Sequence, residues 1–201
     1  MKNIYLLIIC ALCGYAAAAQ SVEENLAAAK TAYKNGDLED TRFALQQALS
    51  EVEAAIGREV LKILPEKMGP FTYVEEDDDV AGMSGSFVGL NVSRTYRAGE
   101  GEGEATISIM SDSPLLSGIN AILAMPMIGG GDPNKKRIKI DGYRGVLQKT
   151  EGMEGSATTF DVQTPFGSSL LTFTTRGIES EAEVLKMANT IPVSRIVELT
   201  K

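Results

Sequence analysis

Five consecutive carboxylates, Glu75-Glu76-Asp77-Asp78-Asp79, stand directly before the stretch Val80-Ala81-Gly82-Met83-Ser84-Gly85. Oxygen ligands at that density are what a hard cation needs, but the spacing does not suit one. An EF-hand loop takes oxygen ligands at positions 1, 3 and 5, glycine at 6 and a bidentate glutamate at 12. Counted from Asp77, alanine (Ala81) stands at the fifth position and valine (Val88) at the twelfth. Adjacent carboxylates also repel one another, so the run is expected to be a charged, glycine-softened connection between a short strand and a sheet. No metal ligand and no cofactor is assigned to it.

The second group that could do chemistry is polar and aromatic: Arg94 and Tyr96 on one alternating stretch, Tyr143 and Arg144 just after an Asp-Gly turn. Arginine and tyrosine anchor many interfaces because each offers a large flat contact and a polar end. These four residues are the candidate interaction surface. The competing expectation is ordinary sheet packing with arginine stems lying along apolar neighbours.

Exclusions narrow the field further. The chain has no His and no Trp, and its two cysteines, Cys10 and Cys13, both lie in the first twenty residues. A Ser-His-Asp triad, a Cys-His dyad, a histidine or cysteine zinc site and thiol redox chemistry therefore lack their groups in the rest of the chain. No S-x-x-K and no G-x-S-x-G occurs, so neither a lysine-activated serine nor a nucleophile elbow has its motif. Gly99 to Gly103 is followed by no helical pattern, and Gly129-Gly130-Gly131-Asp132-Pro133 lacks the G-K-[S/T] that closes a phosphate loop. No catalytic residue is expected. A formal net charge of −8 disfavours nucleic acid and anionic membrane surfaces as partners. The basic run Lys135-Lys136-Arg137 with Lys139 is the local exception, and it is read as the solvated approach to a strand.

Lys2, the apolar run Ile4 to Cys13 and the small residues before Gln20 have the order of a secretory signal peptide, residues 1–19. The apolar run is too short to span a bilayer, which takes roughly 20 residues, and no later segment is long and apolar enough. The processed chain is thus expected to be exported, periplasmic or secreted, without a transmembrane segment.

From residue 20 to 64 the pattern is a helical hairpin. Leu26, Ala29 and Tyr33 recur on one face, Asn35-Gly36 breaks the period, Asp37 can cap, and Leu38 to Leu64 hold a helical period until Pro65. The stretch Tyr33-Lys34-Asn35-Gly36-Asp37-Leu38, with Thr41, Leu45 and Ala48-Leu49, resembles the turn and second helix of a tetratricopeptide unit. It occurs once, with threonine (Thr41) where that family usually has alanine, so the resemblance implies hairpin geometry rather than a solenoid.

Residues 65–201 change character. Phe71 to Val74, Val88 to Tyr96, Ala105 to Ile109, the two sides of Asp141-Gly142, and two runs flanking Thr164-Pro165-Phe166-Gly167 read as strands. Ser113-Pro114 opens a helix over 114–124, and Ser180 with Glu183 opens a terminal helix followed by a short segment after Pro192. An antiparallel sheet packed with helices follows, an α+β domain. Ser93-Arg94-Thr95-Tyr96, Ile109 to Leu115 and Ile140-Asp141-Gly142-Tyr143-Arg144 resemble a family of exported bacterial proteins without assigned activity. That resemblance implies a plan like the Mog1/PsbP-like sandwich and carries over no catalytic or binding residue. The functional expectation is a non-catalytic binding or envelope-accessory module whose partner is a protein or small ligand. The second expectation is a small-molecule or lipid carrier with a pocket between the sheet and helix 114–124.

Overall fold

The computed structural model describes residues 21–84, 87–99, 103–111, 115–124, 134–152 and 157–201, with the backbone alone for 81–84, 87 and 88. The expected leader 1–19, the loop centre at 100–102, Pro114, the residues Met125-Pro126-Met127 and the glycine loop 129–133 lie outside these residues. Among the described residues no helix is long and apolar enough to cross a membrane.

Two compact units divide the chain, one running through Ala55 with Ala81–Gly89, the other Ile56–Val80 with Leu90–Lys201. The first holds the hairpin of α1 (21–34) and the greater part of α2 (Leu38–Ile63). Gly36 makes the turn possible at φ 80°, a left-handed conformation that costs glycine little. Asp37 caps α2 as expected, its Oδ1 accepting from the Asp40 amide at 3.0 Å.

The strands form an antiparallel sheet with the order β1 (Lys67–Met68), β2 (Phe71–Tyr73), β4 (Phe87–Ala98), β5 (Glu104–Ser111), β9 (Ser169–Arg176), β8 (Thr159–Phe166), β7 (Tyr143–Thr150) and β6 (Lys135–Ile140). β3 (Asp79–Ser84) pairs with β4 off this path. Helices α3 (Leu116–Ala124), α4 (Glu181–Ala188) and α5 (Val193–Leu199) complete the chain. The expected α+β class is what the molecule has.

Period-two alternation sorts the side chains. One face of the sheet carries Val92, Ile107, Ile109, Leu147, Phe160, Val162, Leu171 and Phe173, all essentially inaccessible. Val60 and Leu64 from the end of α2, Val184, Met187 and Ala188 from α4, and Val193 and Ile196 from α5 close over that face in one continuous core. The opposite face has a smaller apolar cluster, Val146 and Leu170, covered by Ile119 of α3 with Leu116, Ile122 and Leu123.

Two local details follow from chain chemistry. The turn expected at residues 164–167 falls later: β8 runs on through Pro165 to Phe166, paired with Ser169 across a two-residue turn that Gly167 opens at φ 53°. Proline is tolerated there because pairing with β7 ends at Gln163, so its missing N–H leaves no ladder bond unmade. At Gly145, a Cβ would lie 2.8 Å from the Gln163 carbonyl oxygen, and only glycine lets β7 and β8 approach so closely.

The Asp141-Gly142 hairpin turn forms as expected, with φ 48° and 84°. The Asp141 carboxylate also accepts from the Ser194 amide at 2.7 Å, tying the turn to α5. Hydrogen bonds from the Ser194 side chain and backbone lower the pKa of Asp141 below the ordinary carboxylate value. A lowered folded-state pKa means the contribution is present above the unfolded value, roughly 3.9, and is lost as pH falls through the folded value. Asp141→Asn should keep the turn, since Asn-Gly serves equally well, and should flatten the acid limb of stability below about pH 4. Urea titrations across that range check this; parallel acid limbs in the two proteins would contradict it.

Candidate functional site

The four residues expected to share a surface fall into two separate pairs. Arg94 and Tyr96 lie on β4, and Tyr143 and Arg144 on β7, with β5, β9 and β8 between. Four strand spacings separate the pairs by about 19 Å.

Arg94 and Tyr96 face the core and are not surface residues, with relative exposures of 7% and 0%. Arg94 is held by a fork: its Nε donates to Asp78 Oδ1 at 2.8 Å and its Nη2 to Asp78 Oδ2, while Nη1 donates to the Leu64 carbonyl at 3.3 Å. Its guanidinium carbon sits 4.5 Å from the centroid of the Tyr73 ring. Burial opposes the charge on Arg94, yet the hydrogen bond and attraction from Asp78 prevail and its pKa is raised. Tyr96 donates its hydroxyl to the Pro65 carbonyl at 2.9 Å, and burial pushes its pKa well above the usual tyrosine value. These are the bonds of an internal clasp.

The same clasp explains part of the acidic run. Glu75–Asp77 form a single 3-10 turn. Asp78 is the partner of Arg94, and Asp77 Oδ2 lies 2.7 Å from Arg97 Nη2 as an ion pair. β4 thus supplies arginines for two of the five carboxylates, and the run is a docked segment rather than only a solvated connection. Among the described residues no group of three or more acidic, histidine or cysteine side chains could hold a metal ion.

Arg144 leads to a different place, whereas Tyr143, its neighbour on β7, turns to the other face and packs against the main core. Arg144 stands directly across from Lys139 in the β6–β7 ladder, and Arg137 lies two residues along β6 on the same face. This is the face that α3 covers in part. Beside the C-terminal half of α3 a cleft of about 320 Å³ is lined by Leu123, Arg137, Ile138, Lys139 and Arg144. A second, of about 560 Å³, is lined by Asn120, Leu123, Ala124, Gly142, Tyr143, Arg144 and Pro165. Leu123 and Arg144 belong to both, so the two form one groove with Arg144 at its middle.

The electrostatics of the groove are one-sided. Arg137 Nη2 donates to the Ile122 carbonyl at 3.1 Å, a favourable placement for a cation near a helix C-terminus. Among the described residues neither Lys139 nor Arg144 forms an ion pair, while Lys136, on the other face, pairs with Glu181 at 2.6 Å. Like charges directly opposite on adjacent strands are destabilising. Among the described residues this acidic chain keeps such a pair without an ion-paired carboxylate to offset it. Of the residues that the sequence singles out, Arg144 lines both clefts and Tyr143 borders only the second. Arg137 and Lys139 read there as solvated charges, and Asn120 carries no signal in the sequence.

An α+β module with a cationic groove at one end of its sheet is the class that fold and site define. No protein-family model matches the chain, and neither a curated protein nor a solved structure does. The architecture therefore rests on the structure alone, and the expected likeness to an exported family and to the Mog1/PsbP-like sandwich has no support from these comparisons.

Proposed function

We propose that this chain is a non-catalytic binding module, exported from the cell, whose groove beside α3 receives a ligand bearing a carboxylate or phosphate. The observation that carries the reading is the cross-strand pair Lys139 and Arg144, reinforced by Arg137 and set in a chain of net charge −8. An arginine fork and an ammonium group at this separation can take two oxygens of one anion. Leu123, Ala124 and Pro165 line the same groove and suit an apolar part of the ligand. The groove's volume lies within the range of about 300–1,000 Å³ usual for small-ligand sites, which favours a small amphiphilic anion. Ile119 packs over Val146 and Leu170, which supports a carrier's ligand lying beside the helix rather than beneath it.

Titration of the isotopically labelled protein with citrate and with inorganic phosphate tests this by amide shifts. The expected result is saturable shifts confined to residues around Asn120, Arg137, Lys139 and Arg144, weakened at high salt and abolished in Arg144→Glu. Shifts spread evenly over all basic residues, or unchanged in Arg144→Glu, would overturn the reading.

A further inference from the structure

The hairpin unit leaves an apolar face open. Leu26 and Tyr33 on α1, and Leu38, Leu45, Leu49 and Val52 on α2, are each between 40 and 67% exposed. Leu26 and Tyr33 are seven residues apart, and Leu38, Leu45 and Val52 repeat at the same interval. That interval is the one that keeps a seam turned towards a helical neighbour. The buried residues of the hairpin are the small Ala29, Ala44 and Ala48, and helical periodicity sets all six large side chains to the same side of that buried line. Six such side chains make a patch on the order of 500 Å², at the upper end of what a monomer ordinarily exposes.

The charges along α1 indicate what covers it. Glu23 stands near its start and Lys30 and Lys34 near its end, all exposed and on the side of Leu26. Laid parallel on a copy of itself, this helix would set acid on acid and base on base. Laid antiparallel about a two-fold axis, it sets Glu23 of each copy against the lysines of the other, with the leucine seams between. Such an interface is self-complementary, as a two-fold dimer requires. Two patches of this size with their charged rims reach the ~1,000 Å² at which a specific interface becomes stable. We infer that this face is the dimer interface of the protein, two hairpins packing as an antiparallel four-helix bundle around Leu38, Leu45, Leu49 and Val52.

Sedimentation equilibrium of the processed full chain at low ionic strength tests it. The expected result is twice the monomer mass at micromolar concentration, and a monomer for Leu45→Glu/Leu49→Glu with helix content unchanged. Glu23→Lys should weaken the dimer about tenfold. Glu23→Lys/Lys30→Glu/Lys34→Glu should recover it, because each copy then carries both reversed partners. A native chain that stays monomeric, or a reversed triple variant no stronger than Glu23→Lys, would overturn the inference.

Discussion

Asp78→Ala should lower the stability of the chain by about 3–5 kcal/mol, the cost of leaving a buried charge without its partner. Arg94 loses both carboxylate acceptors in that variant and keeps only the Leu64 carbonyl and the Tyr73 ring, in a place where its side chain is 8% exposed. Arg94→Met should cost less, because the Asp78 carboxylate is nearer the surface, at 13% exposure, and rehydrates more easily. The double variant Arg94→Met/Asp78→Ala should lie within about 1–2 kcal/mol of the native chain, since apolar replacement of a whole buried pair is often neutral. Urea midpoints of the four proteins form a double-mutant cycle. Additive losses would mean that the clasp is not a coupled unit, and Asp78→Ala behaving like the native chain would remove it altogether.

That clasp is hidden in the sequence for a physical reason. Arg94 and Asp78 are 16 residues apart, and their meeting depends on a three-residue 3-10 turn and on β1 and β2, of two and three residues. Elements so short have no periodicity to read. A five-carboxylate run signals repulsion when taken alone, and the two arginines that offset it come from the strand beyond. The β6–β7 hairpin is the opposite case. Once Asp141-Gly142 is taken as a two-residue turn, Ile140 must face Tyr143 and Lys139 must face Arg144, as they do. The cationic pair is therefore legible in the chain, although its meaning is not. Lys135, Arg137 and Lys139 alternate with Lys136 and Ile138, and alternation sends the former to the α3 face and Lys136 towards Glu181. A charge run read as one solvated block conceals two faces with different partners. Helix ends are legible where side chains themselves cap, as at Asp37 and Ser180, whose hydroxyl accepts from the Glu183 amide. The turn at Gly167 lies later than Pro165 suggests, because proline reads as a breaker unless the neighbouring strand is known to have ended.

The end of α2 provides the other large effect, because the helical period assigns it to a hairpin ending at residue 64 and yet it is built into the sheet's core. Val60 is wholly buried and Leu64 is 4% exposed, within one cluster that includes Tyr96, Ile107 and Phe173. The carbonyls of Leu64 and Pro65 are also the acceptors for Arg94 and Tyr96. A chain beginning at Glu66 loses both buried side chains and strands two buried donors at once. Leu64→Ala alone should cost about 2–5 kcal/mol. Adding an orphaned buried arginine donor and tyrosine hydroxyl, at about 1–3 kcal/mol each, brings the loss to the size of a whole domain's stability, about 5–15 kcal/mol. Residues 66–201 should therefore give a poorly dispersed amide spectrum and no cooperative urea transition. A fragment starting at Glu51, which keeps the last turns of α2, should unfold cooperatively. If residues 66–201 unfold at the same urea midpoint as the full chain, α2 is a bystander to the sheet and the boundary lies at Pro65 after all.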